Sequence, residues 1–113
     1  MKLSTKETDG VIVVRLEGSV LGGPDATALN DALHKLVEKG RKNVVLDVSG
    51  VETMNSSGLG MLIAAMTTMR NAGGTLKIAA ASKKIESLLV ITKLTSVFEL
   101  FETVKQAVGS FSK

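Results

Sequence analysis

The residues of this chain best placed to carry chemistry are two adjacent serines, Ser56 and Ser57, preceded by Asn55 and followed by Gly58-Leu59-Gly60. They stand where a β-rich apolar run gives way to residues at helical spacing. A helix N-terminus there presents unpaired N–H groups and the positive end of the helix dipole. Ligands of open α/β sheets also collect beyond the carboxyl ends of strands. Two readings are open. In one, Asn55 and the serines only cap the helix, and the glycines allow close packing on the sheet. In the other, the hydroxyls are sites of modification or contact. Gly58 and Gly60, costing about 1 kcal/mol each in a helix interior, then leave backbone accessible to another protein.

A phosphate on Ser56 would add about −1.5 to −2 charge at pH 7. A helix start tolerates that charge, so the fold should survive it. A partner packed over the same surface would instead meet a desolvated dianion with no compensating group. The pattern suits a binding switch in which shape persists and affinity collapses.

Other chemistry is poorly supplied. The 113 residues include no Cys and one His, which excludes disulfides, a thiolate metal site and a Cys nucleophile, and fits a reducing cytoplasm. His34 falls at the edge of a helical apolar face and is expected to be a spectator, while Asp25 and Asp31 read as helix charges. Gly22-Gly23-Pro24-Asp25 and Gly58-Leu59-Gly60 lack the spacing of known phosphate-binding loops. No base, metal set or cofactor motif accompanies the serines, so we expect no enzyme, metal or cofactor. Met66 and Met69 read as core or rim packing, and Met54 and Met61 as either core or an adaptable contact surface beside the junction.

Fourteen basic and eleven acidic residues give a net charge of +3, scattered along the chain, with only three Phe on which bases could stack. Nucleic acid is not an expected partner. Lys83-Lys84 is too short for a membrane patch. No apolar run approaches the ~20 residues of a membrane span, and the first ten residues lack the apolar core of a signal peptide. The expected location is the cytoplasm, unanchored.

The elements that must position these residues can be read from pattern and punctuation. Leu3 to Thr8 and Val11 to Glu17 flank Asp9-Gly10, a two-residue hairpin loop, with Ile12, Val14 and Leu16 toward the core. After Gly18 and a short extended stretch at Ser19 to Leu21, Pro24 opens a helix over 24–39 that Gly40 stops. Asn43 to Val48 reads as a buried strand, Ser49 to Ser57 as the connection after it, and a second helix runs to about Arg70, with Leu59, Leu62, Ile63, Met66 and Met69 on one face. Thr75 to Ala80 is another strand. Ser82 caps a third helix carrying Ile85, Leu88 and Leu89, a short strand lies near Phe98 to Leu100, and a last helix holds Val104, Ala107 and Val108. One α/β domain over 1–113 is expected, a mixed sheet of an antiparallel hairpin plus parallel strands, packed with about four helices.

The run Asp47-Val48-Ser49, then Val51, Met54 and Ser56-Ser57-Gly58-Leu59-Gly60 resembles the signature of STAS domains of the bacterial anti-sigma factor antagonist type, and the resemblance covers nearly the whole chain. It implies a STAS-like fold and a non-enzymatic partner switch. The unmodified protein would bind an anti-sigma factor that is also a serine kinase of the histidine-kinase-like ATPase fold. Phosphorylation of the serine opening the second helix would release it, and a PP2C-type phosphatase would reverse the mark. Ser56 matches that serine, with Ser57 the second candidate; Asn55, Ser56, Ser57 and Gly58, with Met54 and Met61, would form the docking loop. Asp47, taken to lie at the strand end, would organise the loop by accepting N–H groups. Asn55 stands where the family commonly has Asp, keeping shape and capping ability without the charge. The other readings are a module sensing a nucleotide or anion, a constitutive signalling scaffold, and a homodimer.

Overall fold

A computed structural model describes residues 1–112. The chain runs β1 (Lys2–Thr8), β2 (Val11–Val20), α1 (Pro24–Glu38), β3 (Asn43–Met54), α2 (Ser56–Asn71), β4 (Thr75–Ala79), α3 (Lys83–Ile91), a 3-10 turn at Leu94–Ser96, β5 (Leu100–Phe101) and α4 (Val104–Ser110). The five strands form one sheet in the order β1-β2-β3-β4-β5, antiparallel between β1 and β2 and parallel elsewhere. The hairpin turn has the two successive positive φ angles of a type I′ turn, 51° at Asp9 and 80° at Gly10, matching the twist of the strands it joins. Pro24 stands at the start of α1, whose buried residues are Leu29 and Leu33. Ser82 caps α3 by accepting from the Ile85 N–H at 3.3 Å.

Both faces of the sheet are covered, unequally. Ile12, Val14 and Leu16 join Val44, Leu46 and Val48 under α1, α2 and α3 in the main core. Val11 and Val13, which alternation turns the other way, are nonetheless buried. With Val45 and Ala79 they form a smaller core under Ala107 and Val108 of α4. β2, β3 and β4 therefore place apolar side chains on both faces, and a slip of one residue would exchange the two cores.

Three boundaries differ from those read in the sequence. Gly18, with φ of 86°, does not end β2, which continues to Val20. β3 does not stop at Val48 but runs to Met54. The last strand is Leu100–Phe101 rather than Phe98 to Leu100, because Phe98, 3% exposed, is an anchor of the main core and the chain is still turning there.

The smaller core is closed by a polar lock. Lys77 on β4 is buried, and its Nζ donates to Ser110 Oγ at 2.7 Å while lying 4.2 Å from the Phe111 ring centroid and 3.6 Å from Glu99. Ser110 Oγ in turn donates to the Ala107 carbonyl at 2.6 Å, so the ammonium is tied to the end of α4. Charge-assisted hydrogen bonds of this kind contribute about 1.5–3 kcal/mol. Lys77→Ala should lower the unfolding free energy by about 2 kcal/mol in urea titrations. Hydrogen exchange should show α4 losing protection before β2 and β3; uniform loss across the sheet would contradict the lock.

Candidate functional site

Beyond Asp47, β3 leaves β4 behind and pairs with β2 alone, up to Val20 opposite Met54. Along this overhang the register shifts twice. Arg15 and Glu17 face Asp47 and Gly50, and Gly18 and Ser19 face Val51 and Thr53, so each shift places an extra residue in β3. The core-facing positions consequently fall at Val48, Val51 and Met54, three apart instead of two, with Ser49 and Glu52 exposed. Bulges of this kind bend a strand and re-aim the residues beyond them.

Asp47 organises the first bulge. It lies within β3, not at its end, and its Oδ1 accepts from the Ser49 N–H at 3.0 Å. Its Oδ2 accepts from Arg15 at 3.1 Å, and the same Arg15 nitrogen donates to Ser49 Oγ at 2.7 Å. Arg15 also donates to Glu17 at 3.2 Å. The hydrogen bond to Glu17, then the bond and charge of Asp47, raise the guanidinium pKa above its usual value. The carboxylate thus does accept an N–H group, but at the bulge and on the α4 side of the sheet, away from the serine junction it was expected to organise.

At the junction itself Asn55 is the N-cap of α2. Its Oδ1 accepts from the Gly58 N–H at 2.8 Å, and its carbonyl accepts from the Leu59 N–H at 3.0 Å. Ser56 and Ser57 open the helix, both exposed, and among the described residues neither hydroxyl has an internal hydrogen-bond partner. The capping bond is therefore supplied entirely by Asn55, and the serines are free of it.

The two glycines after the serines differ in kind. A Cβ on Gly58 would be driven into the Val20 carbonyl and to 2.8 Å from Met54 Cγ, so only glycine lets α2 lie this close to β2. A Cβ on Gly60 would meet nothing within 4 Å. Gly60 is exposed, and no packing among the described residues requires it. Gly22, with φ of +84°, brings the turn before α1 against Ser57, where an added Cβ would come within 2.7 Å of Ser57 Cβ.

Ser56, Gly60 and Ile63 recur four and three residues apart and share one exposed face of α2. Ile63, read in the sequence as part of the core face, is 38% exposed, and Leu21, immediately before the Gly22 turn, is 48% exposed. Met54 and Met61 are corrected in the opposite direction. Both are buried in the main core, at 8% and 4% exposure, so neither forms the contact surface considered for them. Leu21 and Gly22 were missed as site residues, because nothing local in the sequence shows which loop adjoins Ser57. His34 is exposed on α1.

The STAS domain family model matches residues 2–107 of the chain. A relative in Bordetella bronchiseptica, BtrV, named for a proposed anti-sigma factor antagonist role, is 26% identical over 111 residues, covering 98% of this chain and 95% of its own. The crystal structure of an anti-sigma factor antagonist from Mycobacterium paratuberculosis superposes with a TM-score of 0.84 at 26% identity, over 99% of this chain and 94% of that one. The anti-sigma factor antagonist SpoIIAA has the same fold at 15% identity. Its unphosphorylated form gives a TM-score of 0.72 over 98% of each chain. Its phosphorylated form, from Bacillus, gives 0.73 over 97% of this chain and 99% of that one.

The contrast between the two glycines is testable in the isolated protein. Gly58→Ala should cost about 1–3 kcal/mol or more through overpacking against Val20. Gly60→Ala should stabilise by up to about 1 kcal/mol through helix propensity alone. Urea unfolding of the two variants beside the parent measures both signs, and destabilisation by Gly60→Ala would show an unseen packing role.

Proposed function

This chain belongs to the STAS domain family, and we propose that it is an anti-sigma factor antagonist that works as a non-enzymatic partner switch, with Ser56 as the switched residue. The observation that carries the reading is the position of Ser56. It is exposed at the first position of α2, its side chain holds no hydrogen bond among the described residues, and it shares a face with Gly60 and Ile63. Unmodified, that face offers a helix surface with accessible backbone at Gly60, bordered by Asn55, Ser57 and the apolar side chains of Leu21 and Ile63. The partner is an anti-sigma factor of the histidine-kinase-like ATPase fold that is also the serine kinase; a PP2C-type phosphatase removes the phosphate.

Magnitudes favour release over adjustment. Covering an apolar side chain such as Ile63 contributes about 1.5–3 kcal/mol at most. Burying an unpaired phosphate costs several kcal/mol per ion, which exceeds that gain. Within the free protein the same phosphate faces the positive end of α2, whose first turn carries no acidic residue. Asn55 contributes in the same direction, since it caps the helix without placing a carboxylate next to the modified serine. Ser57 is the second acceptor candidate, less suited because the Gly22 turn lies against it.

Phosphopeptide mapping of the protein from its native cells, before and after PP2C-type phosphatase treatment, should find a removable phosphate on Ser56. Ser56→Ala should bind the anti-sigma factor as the parent does and escape release. Ser56→Asp should unfold within about 0.5 kcal/mol of the parent yet bind at least ~10-fold more weakly. Equal binding by the Asp variant would end the charge mechanism.

A further inference from the structure

We propose a second protein-docking surface at the β5 edge of the sheet, built for a basic amphipathic helix of a partner and independent of Ser56. Among the described residues the large exposed hydrophobics include Leu21 and Ile63 near the serine site and Val90 and Ile91, at 56% and 77% exposure, adjoining at the end of α3. Val97 lines a separate hollow with Met66, Arg70 and Leu76. Leu21 follows β2 and Ile63 lies on α2, whereas α3 ends in Val90 and Ile91 beside β5, at the edge of the sheet opposite β1.

Next to these side chains a cavity of about 430 Å³ opens between α3 and β5. Ile78, Leu100, Phe101 and Val90 supply apolar lining, and the charged lining residues are Glu86 and Glu102, with no Lys or Arg among them. Both glutamates are exposed, and among the described residues neither is held in a salt bridge. An acidic rim on an apolar hollow stands out in a chain of net charge +3. That combination accepts an apolar anchor flanked by cations, in the manner of a helix laid into a groove. Glu86 and Val90 lie one helical turn apart on α3, so a cation and an apolar side chain spaced by one turn of a partner helix meet them together. Lys83, Lys84 and Lys93 are exposed and do not line the cavity.

The docked partner would remain bound whichever state Ser56 is in. The test uses the full chain, isotope-labelled for amide NMR, and a synthetic helix of about 18 residues, five turns, with Leu at i, i+3, i+4 and i+7 positions and Arg beside them. Its counterpart carries Glu in place of Arg. Shift changes should concentrate between Glu86 and Ile91, at Thr95, and at Leu100 to Glu102. The double variant Glu86→Gln/Glu102→Gln, and separately Ile91→Ser, should each weaken binding by at least ~5-fold, while Ser56→Asp changes it by less than ~2-fold. All the substituted residues are exposed, and unfolding curves confirm that the variants fold. No binding, equal binding of the Glu peptide, or shifts centred on Leu21 and Ile63 would overturn the proposal. So would sedimentation showing a dimer that Ile91→Ser dissolves, which would place a second copy of the chain on this face.

Discussion

The backbone contact between Gly58 and the Val20 carbonyl governs the serine end of the molecule. It is closer than any side chain permits, and it sets the height of the first turn of α2 above the end of β2. Everything upstream prepares it. β3 must outrun β4 to reach Met54, β2 must accompany it to Val20, and Asn55 must turn the chain and receive the Gly58 N–H. Once the contact is made, Ser57 is held against the Gly22 turn and Ser56 is left on the outside. The exposure of Ser56 is thus a product of backbone packing beneath it rather than of local polarity.

How much could be read from the sequence tracks how local the signal is. Asp9-Gly10, Pro24, Gly40 and Ser82 each act within a few residues, and the turn, helix ends and cap they imply are present. The order of strands and helices came from these marks, as did the mixed sheet. The continuation of β3 did not, because two extra residues convert its inward spacing from two to three, a period that resembles neither a strand nor a helix. For the same reason the sequence pattern places Asp47 at a strand end, whereas it braces a bulge inside the strand.

The site was partly legible in the same sense. Asn55 as cap and Ser56 as an exposed hydroxyl are implied by their types and their place before a helical run. Met54 and Met61 were ambiguous because thioethers serve cores and contact surfaces alike, and only the tertiary packing decides. The apolar spacing turns Ile63 inward with Leu62, but consecutive helix residues point about 100° apart and the sheet covers only Leu62. Gly22 reaches Ser57 from a different loop, a relation that depends on the β2-α1-β3 crossover and has no local trace.

Because the helix cap is held by Asn55 and not by the serine beside it, a group attached to Ser56 would break no capping bond among the described residues. Under the proposed switch the two chemical states of the residue would therefore share one backbone. Information held this way would be stored in charge rather than in conformation, so writing and erasing it would proceed at the speed of the attaching and removing enzymes, with no refolding delay on either stroke. It would also leave no slow structural history, and a molecule marked many times would be physically the same as one marked once.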